Sequence, residues 1–121
     1  MAKILIVDDS PAQIFTLKHL VENWGFEAIC AENGDQALEI ARQETPDVIL
    51  MDVVMPGMSG FQTTRKLSKD LMTCNIPVIF VSTKDGEADR VWGMRQGATA
   101  YVTKPVNPDT LFNAISEAIA A

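Results

Sequence analysis

The sequence is short of cysteine, of positive charge and of long apolar runs, and each shortage removes a class of protein. Its 121 residues hold two cysteines, Cys30 and Cys74. They are far apart and lack the CxxC spacing of metal or redox sites, so two reduced thiols in a cytoplasmic protein are expected. Lys and Arg total 10 against 16 Asp and Glu, a formal net charge of −6. That balance repels nucleic-acid phosphate and argues against direct binding of DNA or RNA. Near the N-terminus the longest apolar run is Ile4 to Val7, too short for a signal peptide or a membrane span, and Asp8 and Asp9 follow at once. No linker rich in Pro, Gly or Ser, no low-complexity tract and no internal repeat divides the chain, which has the size of one domain.

What is present is a regular alternation. Apolar runs rich in β-branched residues occur at Ile4–Val7, Val48–Met51 and Val78–Val81, with weaker ones at Ala28–Ala31 and Tyr101–Thr103. Continuous apolarity, rather than alternation with polar residues, is what strands covered on both faces require. Helical patterns lie between. In Pro11 to Trp24, Ile14, Leu17, Leu20, Val21 and Trp24 follow helical spacing, with Ser10 as cap and Pro11 in the first turn. Asn107 and Pro108 repeat that device before a last helix whose expected inner face is Leu111, Ile115, Ala118 and Ile119. The spacing predicts three more helices, at Asp35–Gln43, Gly60–Asp70 and Glu87–Gln96, the last terminated by Gly97. For Glu87–Gln96 the expected inner face is Ala88, Val91 and Met94. Trp92 is then expected to point outward and, with Arg90 and Arg95, to offer a partner surface.

Five β-α units in succession predict a doubly wound parallel sheet between two helical layers. Ligands in such sheets sit beyond the carboxyl ends of the strands. That rule selects Asp8 and Asp9, Asp52, Ser82 and Lys104, which come from four strands. Carboxylates gathered there repel; a pair about 5 Å apart costs roughly 3 kcal/mol at an effective dielectric near 20. A cation offsets this, and an all-oxygen donor set suits Mg²⁺. A carboxylate at a strand end can act as a nucleophile on phosphorus, with Mg²⁺ and the Lys104 ammonium neutralising the transferring group.

The segments Ile4–Ser10, Asp47–Asp52 with Met55-Pro56-Gly57, Pro77–Ser82 and Gly97-Ala98 through Tyr101–Pro105 resemble the receiver domains of two-component signalling, in order and in spacing, over essentially the whole chain. The resemblance implies a flavodoxin-like fold with strand order 2-1-3-4-5. It implies that Asp52 is the phosphoacceptor, that Asp9 and Asp52 ligate Mg²⁺ directly, that Asp8 does so through water, and that Val54 lends its backbone carbonyl. It makes Ser82 and Tyr101 the switch pair and Lys104 the site lysine, with a cis peptide before Pro105. It further implies a single receiver domain over 1–121 without an output domain. The expected function is a phosphorelay switch, not an enzyme acting on other molecules, with a histidine kinase as donor and a protein as output target. A monomer or weak dimer is expected.

Phe61–Arg65, Thr83–Asp85, Val91–Gly93 and Arg95–Ala98 are most similar to single-domain regulators of type IV pilus twitching motility, the PilH type. That likeness implies a CheA-like kinase. Alternatives are a phosphate sink for a shared kinase and a phosphate-independent interaction module. Asp8-Asp9 after the first strand disfavours a flavin-phosphate cradle. Val53 and Val54 stand where an Asp-nucleophile phosphatase would want its second acid. Apolar Val54 offers the hydrolytic water no hydrogen bond, so with basic Lys84 nearby a long-lived phosphoryl state is expected.

Overall fold

The structure, a computed structural model, describes residues 1–121 and bears out the alternation. The strands are β1 (Lys3–Val7), β2 (Glu27–Ala31), β3 (Val48–Met51), β4 (Val78–Ser82) and β5 (Ala100–Thr103). The helices are α1 (Pro11–Asn23), α2 (Gly34–Glu44), α3 (Gly60–Lys69), α4 (Glu87–Arg95) and α5 (Pro108–Ala120). All strand pairs are parallel and the order is β2-β1-β3-β4-β5. This is the five-stranded, doubly wound arrangement expected. No helix is long and apolar enough to cross a membrane.

Because side chains alternate along a strand, each apolar run supplies two cores. Leu5, Val7, Ile49, Met51, Val78 and Phe80 point to one face, under Ala37 and Ala41 of α2 and Leu67 of α3. Ile4, Ile6, Val48, Leu50, Ile79 and Val81 point to the other, under Leu17 and Val21 of α1 and Leu111 and Ile115 of α5. The helix starts follow from local chemistry. Ser10, Asn33, Ser59 and Asn107 each accept a backbone N–H from the first turn, satisfying a donor that the helix itself cannot. Both thiols are free, Cys30 half-buried and Cys74 exposed.

Two expected faces need correction. On α4, Ala88, Val91 and Met94 do not face inward; all three are exposed. Gly93 is the helix's one buried residue, and Gln96 is buried just past its end. An added Cβ at Gly93 would stand 3.1 Å from the rings of Phe80 and Tyr101, so glycine lets the backbone itself seat on the aromatic cluster. Trp92 is exposed, as expected, but so are its apolar neighbours. On α5, Ile119 lies outward, while Ala114 packs with Ala118 against the core.

Candidate functional site

The first residue beyond β1, β3 and β5 continues the strand's hydrogen bonding, which aims the site side chains. The Asp8 N–H donates to the Ala31 carbonyl at 3.1 Å, Asp52 to Val7 at 2.9 Å, and Lys104 to Ser82 at 2.8 Å. Chain direction is thereby fixed for one residue past the sheet, and three functional side chains inherit it. The loop after Asp52 is held as tightly. Gly60 N–H donates to the Val53 carbonyl, and a Cβ at Gly60 would overlap the Asp52 carbonyl oxygen, so the start of α3 abuts the site backbone.

Asp8 and Asp52 are buried and Asp9 is exposed; oxygens of the three carboxylates lie within 4.8 Å of one another. The Lys104 ammonium reaches Asp8 Oδ2 at 2.8 Å and Asp52 Oδ1 at 3.5 Å. Asp8 Oδ1 accepts the Ser10 N–H and Asp52 Oδ1 the Val53 N–H, both at 2.9 Å. Burial and the charge of Asp8 push the Asp52 carboxyl above its ordinary range, with Lys104 opposing. Three carboxylates and one ammonium leave two negative charges concentrated at one sheet edge. An all-oxygen donor set with that residual charge fits a hard divalent cation.

Ser82, buried at the end of β4, accepts the Lys84 N–H at 3.1 Å. The Tyr101 hydroxyl donates to the Lys84 carbonyl at 2.6 Å. Lys84 thus joins the two residues expected to form the switch, Ser82 through its N–H and Tyr101 through its carbonyl. Tyr101 is half-buried against Phe80, and burial raises its phenol pKa above the ordinary value while the neighbouring Ser82 hydroxyl acts against this. The Lys104–Pro105 bond is cis, as expected. Val54 lies just outside the cluster with its side chain exposed.

Trp92, Arg90 and Arg95 are all exposed on α4. Arg90 covers the Tyr101 ring, 5.4 Å from its centroid, and reaches the Tyr101 carbonyl at 3.4 Å. The Trp92 backbone carbonyl accepts the Gln96 side-chain amide at 3.2 Å. Sequence reasoning missed Gln96 and Arg65: the Arg65 Nε–H donates to Gln96 Oε1 at 2.9 Å and ties α3 to the end of α4. A polar residue at the inward spacing of a helix, three residues after Gly93 and just before Gly97, was the available signal.

Residues 4–116 match the response regulator receiver domain. The chain is 55% identical over 120 residues to Protein PilH of Pseudomonas aeruginosa, covering 99% of each. It is 41% identical over 111 residues to Response regulator PleD of Caulobacter vibrioides, spanning 92% of this chain and 24% of that protein. Among solved structures it superposes on the Vibrio cholerae chemotaxis protein CheY4 with a TM-score of 0.91, 32% identity and 98% of each chain covered. A receiver domain protein from Clostridium thermocellum gives 0.91 at 31% identity, covering 99% of this chain and 95% of that one. The chain belongs to the receiver domains of two-component response regulators, and it is closely similar to Protein PilH.

Proposed function

We propose that the chain is a phosphorylation-operated switch in which Asp52 is the acceptor. The observation that carries this is the convergence of Asp52, Asp8, Asp9, Lys104 and Ser82 at one sheet edge, with Lys104 already bridging the two buried carboxylates. An Asp52 carboxylate oxygen attacks phosphorus of a phosphohistidine donor. The bond from phosphorus to the donor nitrogen breaks, and that nitrogen keeps the electron pair. Lys104 places its charge beside the transferring group, and the Asp8 contact keeps the ammonium there.

Asp9 and Asp52, with Asp8 through water and the Val54 carbonyl, would hold Mg²⁺, which supplies charge neutralisation of phosphoryl oxygens when bound. The Ser82 hydroxyl turns to donate to a phosphoryl oxygen. That movement draws on the Lys84 peptide, to which Tyr101 is bonded, and so reaches the α4–β5–α5 surface. The output is a protein partner, met through Trp92, Arg90 and Arg95 among others.

The reading as a stand-alone cytoplasmic regulator in twitching-motility or chemotaxis-type signalling, fed by a CheA-like histidine kinase, is supported by the likeness to Protein PilH over nearly its whole length. The test is intact-mass spectrometry after incubation with acetyl phosphate and Mg²⁺. One base-labile phosphoryl adduct is expected, absent from Asp52→Ala and from chelator-treated protein. A folded protein that binds Mg²⁺ yet takes no adduct would instead be a phosphate-independent interaction module.

A further inference from the structure

Charge is divided unevenly along the chain. Residues 10–51 carry seven acids and two bases, whereas residues 58–99 carry six bases and four acids. The excess is sharpest on α3, which has Arg65, Lys66 and Lys69 and no acid. All three are exposed, and none of them forms an ion pair. The acid that follows, Asp70, is already bound by Arg42 at 3.0 Å. With Gln62 and half-buried Met58 these cations line a groove of about 300 Å³ along the helix.

Arg65 and Lys69 stand one turn apart, as do Lys66 and Lys69, and like charges at those spacings disfavour a free helix. The negative helix end favours Lys66 and Lys69, both in the last turn. It leaves Arg65 unexplained, and Arg65 is already fixed through Gln96 rather than drawn toward the helix end. An anionic partner relieves the repulsion and matches the groove in sign.

We infer that the outer face of α3 docks a short acidic helix of a partner protein, whose carboxylates meet Arg65, Lys66 and Lys69 and whose one apolar side chain rests on Met58. The groove follows a ten-residue helix, about 15 Å long, which suits a helical segment and is short for a nucleic acid. The net charge of −6 repels an extended polyanion beyond this face. This surface is separate from the acidic cluster and does not depend on phosphorylation.

The test uses the full chain, ¹⁵N-labelled, and a synthetic helical peptide of about 15 residues with glutamates on one face and one leucine. Saturable amide shifts confined to Met58–Lys69 and the neighbouring end of α4 are expected. Affinity should fall about tenfold in K66E/K69E and fall steeply with salt, but hold in K18E, which makes the same kind of charge change elsewhere. If K66E/K69E does not fold, K66A/K69A serves the same comparison in a better helix former. Absence of saturable shifts on α3, or equal loss in K18E, overturns the proposal. So does equal or tighter binding of a single-stranded oligonucleotide or of phosphatidylserine vesicles at that face.

Discussion

The two helices that flank β5 are attached in opposite ways. α5 drives Leu111 and Ile115 fully into the core and begins at an Asn107 side-chain cap. α4 buries no apolar side chain; Val91, Trp92 and Met94 are 45%, 46% and 45% exposed, and its first turn has no side-chain cap. What holds α4 is the close seat of Gly93 on the aromatic cluster and two polar ties, Arg65–Gln96 and Arg90–Tyr101. Hydrophobic burial makes α5 a fixed wall. Contact geometry and hydrogen bonds, each worth about 1 kcal/mol, hold α4 more lightly than α5 is held. Under the proposed function, the difference places rigidity where the sheet must be kept and compliance where the signal would leave.

Substitutions can break this contrast. The largest effect is expected for Leu111→Ala, which empties a filled core position and should cost about 3 kcal/mol in urea denaturation. Val91→Ala on α4 should change stability by no more than about 0.5 kcal/mol. Equal costs would mean that α4 is anchored as α5 is. Gly93→Ala comes next. Alanine favours the helix by up to about 1 kcal/mol, but the added Cβ presses on Phe80 and Tyr101, and the net outcome should be a loss of about 1 kcal/mol with an altered near-ultraviolet aromatic signal. A gain in stability would show that the seat is loose. Gln96→Ala frees Arg65 and should cost about 1 kcal/mol, with faster hydrogen exchange across α4 and none across α5.

A fourth outcome concerns the acidic cluster and carries a sign. Burial and Asp8 hold the Asp52 pKa above its ordinary 3.8. The folded protein therefore binds more protons there than the unfolded chain does. Stability from this site falls as pH rises from the ordinary value through the raised one, and the cost is complete above the raised value. In chelator-treated protein at pH 7, Asp52→Asn should raise Tm. An unchanged Tm at pH 7 would deny the strain among the carboxylates. The same variant at pH 3 should show a smaller gain.

The sheet was legible because its signal is one-dimensional. Unbroken apolar runs such as Val48–Met51 coincide with a buried strand to the residue, and the polar residue that ends each run, Asp8, Asp52 or Ser82, is where the chain leaves the sheet. Capping at Ser10 and Asn107 was equally local. The inner face of α4 was not legible. Periodicity looks for apolar side chains, whereas this helix turns a glycine and Gln96 inward, and the reason lies in three rings from α3, β4 and β5. Ile119 misled for a simpler reason: in the last turn of α5 it is Ala118 that packs on the core, and Ile119 turns to the exposed side. The lysine-to-carboxylate bridge was anticipated as a gathering of residues, but its order could not be. That Lys104 reaches Asp8 more closely than Asp52 depends on loop geometry across 96 residues.

The central claim is that occupation of the acidic site moves α4 and leaves α5 in place. Its most direct test follows backbone amide shifts on adding Mg²⁺ with beryllofluoride, a mimic of the phosphoryl group. The account predicts large shifts at Asp52, Ser82, Lys84 and Tyr101 and along Glu87–Arg95, with Leu111 and Ile115 nearly unmoved, and none of this in Asp52→Ala. Shifts of equal size in both helices, or none in α4 despite a fully occupied site, would contradict it.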